Sequence, residues 1–126
     1  MSFRFKNSRK LCPAGWHVPA DVEWSILITF LGGETVSGGR LKESGFDHWK
    51  SPNTGADNSS GFSPLPAGSR TPTGIYYCLN FYGNWWTWTV QTDKSAYDRY
   101  VTYDRNSVTH WAYSNEHGLS VRCLKD

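Results

Sequence analysis

Residues 83–90 constrain the fold of this chain more than any other stretch. They hold three of the seven tryptophans, and β-branched residues fill most of the remainder, which is typical of a β-strand. Side chains alternate along a strand, so this one has two faces. One face carries Trp86, Trp88 and Val90, and the other carries Trp85, Thr87 and Thr89.

A large aromatic ring lies on each face, so this strand is predicted to be central in a sheet. We expect Trp86 and Trp88 to be buried in the core. Two interpretations stay open for Trp85. Its ring is buried in the core, or it lies at the floor of a ligand site.

Length and charge indicate a single domain with no polyanionic partner. A chain of 126 residues is long enough for one domain with a real core. With 12 Gly and 6 Pro, we expect many loops. A net charge of +2 is near neutral and predicts no nucleic-acid partner. Residues 1–10 are basic and are predicted to be a solvated extension of the domain at 11–126.

No apolar run is long enough to span a membrane, and residues 1–20 lack the apolar stretch of a signal peptide. Two localisations therefore stay open. The protein acts where it is made, or this sequence belongs to a longer exported chain that reaches a cell surface, the extracellular space or a virion.

The three cysteines are widely separated, so no CxxC pair indicates a zinc knuckle. Cys12 and Cys123 lie near the two ends of the chain. A bridge between them would close nearly the whole chain, stabilise it by a few kcal/mol and require an oxidising compartment. Cys78 would then be a lone, buried thiol.

The clearest predicted helix begins at Asp21, a suitable N-cap, and ends at Gly32 and Gly33. Its apolar residues recur at helical spacing, and they are Trp24, Leu27, Ile28 and Leu31. A second, weaker helix is predicted around residues 39–43.

The second half of the chain is predicted to be mostly β-structure. Two strands, at 75–81 and 85–90, would be joined at 82–84. A hairpin of strands 97–103 and 107–113 would turn at 104–106. A last strand would cover 119–123. Residues 44–61 are predicted to be a loop, and residues 69–74 a turn.

Several ordered motifs carry a family resemblance. They are Cys-Pro-Ala-Gly-Trp-His-Val-Pro from residue 12, Gly-Gly-Arg-Leu-Lys from 38, Gly-Phe-Ser-Pro-Leu-Pro-Ala-Gly-Ser-Arg from 61, Trp-Trp-Thr from 85, and Gly-Leu-Ser-Val-Arg-Cys-Leu-Lys-Asp from 118. In this order they resemble the Fibrobacter succinogenes major paralogous (FISUMP) domain over about residues 11–126. That resemblance implies a C-type-lectin-like α+β fold, with two helices flanking a small, mostly antiparallel, twisted sheet and with adjacent termini.

The sequence offers no catalytic constellation. Neither an HExxH motif, a GxSxG elbow nor a P-loop occurs. We therefore expect no enzyme activity and no cofactor. A formylglycine-generating-enzyme-like oxidase is an alternative, but it would need neighbouring reactive cysteines.

A calcium-dependent carbohydrate-binding domain is the other alternative. The lectin motifs Glu-Pro-Asn, Gln-Pro-Asp and Trp-Asn-Asp are all absent. Asn53, Asp57 and Asn58 carry oxygen ligands suited to Ca²⁺, although the same side chains often close Asx turns. We expect Asx turns and no metal site.

Residues 96–117 carry the strongest functional signal. In the predicted hairpin, Tyr97, Arg99, Val101 and Tyr103 share one strand face and match the family pattern. We expect the remaining positions to form one exposed ligand-binding face. They are Asp98, Tyr100, Thr102, Asp104, Thr109, His110, Trp111, Ala112 and Tyr113. Tyr100, Trp111 and Tyr113 are predicted to be its anchors.

In the sequences that this chain resembles, those positions are largely Asn. Some such domains are variable proteins of diversity-generating retroelements, in which adenines near the 3′ end of the gene are mutated. The residues found here are reachable from Asn codons by adenine changes alone, except Trp, which is reachable from an Arg codon. The resemblance thus implies a diversified face for a protein or carbohydrate ligand. An ordinary exposed sheet face is the equally weighted alternative.

Overall fold

The computed structural model describes residues 11–126, which form an α+β domain. Its helices and strands follow one another in the order β1 Trp16–His17, α1 Asp21–Phe30, α2 Ser37–Leu41, β2 Ser69–Arg70, β3 Tyr76–Tyr77, β4 Tyr82–Thr92, β5 Ser95–Thr102, β6 Val108–Ser114 and β7 Leu124–Lys125. All strand pairs between these elements are antiparallel. Neither helix is long and apolar enough to cross a membrane.

Helix α1 lies where the apolar spacing predicts it. Its N-cap is Ala20 and not Asp21, because the Glu23 carboxylate accepts the Ala20 N–H at 2.8 Å and Asp21 turns toward the sheet. Gly32 and Gly33 follow its C-terminal end with φ of 103° and 102°, which agrees with the predicted stop. Trp24 and Ile28 are buried beneath the helix.

Helix α2 begins two residues earlier than predicted, at Ser37. The backbone N–H groups of Gly38 and Gly39 donate to the Asn106 carbonyl. A Cβ on Gly38 would lie 2.4 Å from the Ser107 carbonyl oxygen, so only glycine allows this approach. The helix therefore packs directly against the turn of the β5–β6 hairpin.

The central strand of the main sheet is β5, because the strand order is β4-β5-β6. The prediction that residues 83–90 form a central strand is therefore wrong. Strand β4 lies at the edge of this ladder. Its outer side makes isolated bridges from Gly83 to Gly68 and from Trp85 to Ser120, and Trp88 N–H donates to the Pro19 carbonyl at 2.8 Å.

Two other strand predictions need correction. Residues 75–81 do not pair with 85–90, since β3 covers only Tyr76–Tyr77 and pairs with β2. Cys78 and Asn80 have positive φ values of 64° and 70°, which end the extended conformation. The predicted last strand at 119–123 is also displaced, because β7 pairs with β1 only at Leu124–Lys125. The 97–103 and 107–113 hairpin is confirmed.

Two buried clusters lie on opposite sides of β4 and β5. The first joins helix α1 to the sheet and contains Trp24, Ile28, Leu31, Leu41, Trp49, Trp85, Val101 and Val108. The second contains Cys12, Val18, Trp86, Ala96 and Leu119. Trp86 is buried as predicted, and Trp85 belongs to the core. Trp88 is 47% exposed, so its predicted burial is wrong.

The two ends of the described chain lie side by side. Cys12 and Cys123 form the predicted disulfide, and β1 pairs with β7. His17 adds hydrogen bonds to Asp126 at 2.6 Å and to Glu23 at 2.9 Å. These two carboxylate partners raise the pKa of His17.

Candidate ligand-binding face

The strand register divides the nine predicted site residues between two faces and a turn. Across β5 and β6, Asp98 pairs with Trp111 and Tyr100 with Thr109. Across β4 and β5, Tyr82 pairs with Thr102 and Asn84 with Tyr100. Cross-strand partners share a face. We call this set the hairpin face, and its residues are Tyr82, Asn84, Asp98, Tyr100, Thr102, Thr109, Trp111 and Tyr113.

His110 and Ala112 do not belong to the hairpin face, which corrects the prediction. They pair with Arg99 and Tyr97 on the opposite side of the sheet, because successive residues of a strand alternate in direction. The His110 ring stacks on Tyr97 there, with centroids 6.1 Å apart. Asp104 lies in the turn beyond β5, is exposed and accepts a hydrogen bond from the Thr102 hydroxyl at 2.9 Å.

Exposure also differs from the prediction at two positions. Asp98 is 0% exposed and Thr102 is 4% exposed, so neither is a surface residue. Trp111 is 64% exposed. Tyr100, Thr109 and Tyr113 are half-buried. The accessible part of the hairpin face is thus mainly aromatic.

Asp98 connects the three strands beneath this aromatic surface. Its Oδ1 accepts the backbone N–H of Trp111 at 2.8 Å, and its Oδ2 accepts Asn84 Nδ2–H at 3.1 Å. Burial raises the pKa of Asp98 to about 7, although the Asn84 and Trp111 hydrogen bonds act in the opposite direction. The buried carboxyl therefore fixes the backbone from which the Trp111 ring projects.

Aromatic packing orders the rest of the face. The rings of Tyr82 and Tyr100 stack with centroids 6.1 Å apart and planes 7° apart. Tyr113 packs against His117 at 5.0 Å. Burial is the main cause that raises the pKa of Tyr113, so its phenol stays neutral and can donate a hydrogen bond.

Tyr82 and Asn84 are residues of the face that the sequence pattern predicts in a turn. Strand β4 begins at Tyr82, and the alternation of Tyr82, Asn84 and Trp86 indicates their shared face. Cys78 is the predicted lone thiol, although it is half-buried and not fully buried. The thiol of Cys78 is free, and burial raises its pKa. Its backbone carbonyl accepts the Tyr82 N–H at 3.0 Å, so Cys78 lies beside the hairpin face.

The opposite side of the sheet is held by a buried guanidinium. Arg99 donates from Nε to Asp21 at 2.7 Å and from Nη2 to Ser25 at 3.0 Å. It also contacts Glu34 at 3.3 Å. Only 3% of the Arg99 side chain is exposed. These contacts attach α1 to the middle of β5, directly behind the hairpin face.

The hairpin turn is fixed by Lys42, which is 0% exposed. Its ammonium donates to the carbonyl oxygens of Thr54, Thr102 and Arg105 at 2.8–3.0 Å. Burial lowers the pKa of Lys42 to about 8. The three carbonyl acceptors favour the charged form, because they match the three N–H donors of an ammonium group.

Of the three predicted Asx turns, Asp57 forms one, while Asn58 and Asn53 make other hydrogen bonds. Asp57 accepts the Ser59 N–H at 2.8 Å, and Asn58 exchanges hydrogen bonds with Ser63. Asn53 donates to the carbonyls of Glu43 and Gly45. Within residues 11–126, no group of three or more His, Cys, Asp or Glu side chains could hold a metal ion.

Comparison with known proteins identifies the family alone. No curated protein and no solved structure matches the chain significantly. The model of the Fibrobacter succinogenes major domain matches residues 2–125, and the chain therefore belongs to that family.

Proposed function

We propose that this chain is a ligand-binding domain, that the hairpin face is its binding surface, and that it is not an enzyme. The observation that carries the proposal is Trp111, a large ring that is 64% exposed on a backbone fixed by Asp98. Rigid Trp and Tyr side chains supply contact area at a low entropy cost, as they do in antibody paratopes. Tyr82, Tyr100 and Tyr113 add three further rings to the same face of the sheet.

The titratable groups of the described chain support binding over catalysis. Within residues 11–126, the side-chain hydrogen bonds of His17 and His48 go to carboxylates, at 2.6 Å to Asp126 and 2.7 Å to Glu43, and not to a hydroxyl or thiol that the ring could activate. The pKa of Cys78 is raised, which is opposite to the thiolate character that a nucleophilic cysteine needs. The proposed ligand is a protein or a carbohydrate, bound without a cofactor.

The fold that we propose for this binding domain is C-type-lectin-like. Its support is the pairing of β1 with β7, the Cys12–Cys123 bridge, and a long irregular stretch between α2 and β4. An experimental structure superposed on C-type lectin domains tests the assignment, and a different strand order from those domains would refute it.

We also propose that the hairpin face is diversified by a retroelement. The support is that Thr109, Trp111 and Tyr113 are accessible and carry residue types reachable by adenine changes. Buried Asp98 and Thr102 suit variation poorly, which narrows the variable set. The source DNA tests this directly. A nearby reverse-transcriptase gene and a near-copy of the 3′ segment that differs only at adenines support it, and their absence refutes it.

The binding proposal is tested with a panel of glycans and purified surface proteins. The chain is compared with a variant carrying Tyr100→Ser and Trp111→Ser. Phe30→Ser is the matched control, because Phe30 is 84% exposed on α1 and lies outside the hairpin face. Ligands bound by the original chain and by the control, but not by the double variant, support the proposal. Ligands retained by the double variant contradict it.

A further inference from the structure

A small pocket lies outside the hairpin face, between the β2–β3 ladder and the segment that follows Glu116. Its volume is about 190 Å³. Its lining includes Gly68, Ser69, Arg70, Tyr76, Gly118 and Ser120. None of them belongs to the hairpin face, so this pocket is a separate feature of the surface.

Backbone hydrogen bonds fix the pocket walls. Arg70 N–H donates to the Gly118 carbonyl at 2.8 Å, and Gly118 N–H donates back to the Arg70 carbonyl at 2.9 Å. Ser120 N–H donates to Asn84 at 3.1 Å. At Gly68, which has φ of 68°, a Cβ would lie 2.2 Å from the Tyr77 carbonyl oxygen. The pocket is therefore preorganised rather than formed by loose side chains.

Arg70 supplies the charge of this pocket and is not neutralised by the described chain. Within residues 11–126, no carboxylate forms an ion pair with Arg70, and its buried Nε has no hydrogen-bond partner. Its guanidinium lies 5.7 Å from the centroid of the Tyr76 ring. Arg99, by contrast, is paired with Asp21. A guanidinium without a carboxylate partner suits an anionic ligand, which would contact its Nη groups because Nε is closed to solvent.

We propose that this pocket binds a carboxylate-bearing sugar, a hexuronic acid residue. The planar guanidinium of Arg70 presents paired donors whose geometry matches a carboxylate. Ser69 and Ser120 also line the pocket, and residues with backbone and hydroxyl hydrogen-bonding groups suit the hydroxyl groups of a sugar ring. Tyr76 is 77% exposed and offers an aromatic surface to the C–H groups of that ring.

The size of the pocket limits both ligand and affinity. At about 190 Å³ it is smaller than most sites for drug-sized ligands, so it fits one sugar residue. We expect a dissociation constant on the order of 1 mM for the monosaccharide. Salt should weaken the binding, because a partly exposed charge pair is screened.

The test is a titration with sodium glucuronate followed by NMR. The probes are the Arg70 Nε–H signal and the amide signals of Gly118 and Ser120. Glucose is the matched neutral ligand, and acetate supplies the carboxylate without the ring. A short peptide with a free C-terminal carboxylate tests whether the pocket binds a peptide carboxylate instead of a sugar carboxylate. We expect glucuronate to shift these signals and to bind more tightly than glucose, acetate or the peptide.

Variants separate the pocket from general surface charge. Arg70→Gln should weaken glucuronate binding at least about tenfold, because charge-assisted hydrogen bonds are lost. Arg70→Lys keeps the charge but loses the paired donors, so it should also weaken binding. Arg122→Gln is the control, since Arg122 is exposed and lies over Phe62. It removes the same charge and should leave binding unchanged.

The amide spectrum of each variant shows whether it is folded, and only folded variants are compared. The proposal is overturned if glucuronate leaves the Arg70 signal unmoved, or if Arg70→Gln and Arg122→Gln bind it equally. It is also overturned if acetate, glucose or the peptide binds as tightly as glucuronate. None of these outcomes depends on whether the hairpin face binds its own ligand.

Discussion

The buried carboxyl group of Asp98 holds the backbone N–H of Trp111 at 2.8 Å across β5 and β6. One residue is 0% exposed and the other is 64% exposed, although they are direct cross-strand partners. Asp98 fixes the backbone, and the Trp111 ring on that backbone is accessible. This arrangement is the physical basis for proposing a binding face on a rigid scaffold.

Asp98 should make stability depend on pH. Its pKa rises from 3.8 to about 7 on folding, so the native state holds a proton that the unfolded state releases between these values. The Asp98 contribution is therefore most favourable below pH 3.8 and declines as pH rises toward 7. The expected loss is on the order of 3 kcal/mol. Urea unfolding of the chain and of Asp98→Asn, at about pH 4.5 and about pH 7.5, measures it.

A control is needed because His17 acts in the same direction. Its raised pKa gives stability that is present below 6.5 and lost as pH rises through the folded value. Subtracting the stability-versus-pH profile of His17→Gln from that of the original chain gives the His17 contribution. Asp98→Asn should flatten the remaining decline, and an unchanged decline in this variant would show that Asp98 is not its source.

The two acidic partners of Arg99 should differ in importance. Asp21→Ala leaves a guanidinium that is 3% exposed without its main partner and should cost about 3 kcal/mol or more. Glu34→Ala removes a carboxylate that is 65% exposed and should cost less than about 1 kcal/mol. Denaturant unfolding compares the two variants, and equal losses would contradict this assignment.

The Cys12–Cys123 bridge should contribute strongly to stability. It joins residues 111 positions apart, and closing a loop of that length lowers the entropy of the unfolded chain. Replacing both cysteines with Ser should cost about 4 kcal/mol. Cys78→Ser is the control, because its thiol is free. If the paired replacement unfolds at the same denaturant concentration as the control, the bridge does not stabilise the fold.

Local patterns predicted the elements that local sequence determines. Helix α1 follows the spacing of Trp24 and Ile28 and stops at its glycines, and the β5–β6 hairpin follows alternation on both sides of a polar turn. The pairing of Tyr76–Tyr77 with Ser69–Arg70 was not predictable in this way. It depends on positive φ at Cys78 and on contacts between segments that no short pattern encodes.

The site was predicted only where alternation was applied consistently. Tyr100, Trp111 and Tyr113 do share a face, but His110 and Ala112 were placed with them although their strand positions alternate. The burial of Asp98 was missed for a different reason. A carboxylate in a strand resembles a surface residue until Asn84 and the Trp111 N–H are seen to satisfy it.

The most direct test of the account is the affinity of Trp111→Ala for the strongest ligand recovered from the glycan and protein panel. Removing an interface anchor typically costs about 2 kcal/mol or more, so the dissociation constant should rise about 30-fold. Stability should change by no more than about 0.5 kcal/mol, because the ring is exposed. The control Phe30→Ala should bind normally. If Trp111→Ala binds as tightly as the original chain, the hairpin face is not the binding surface.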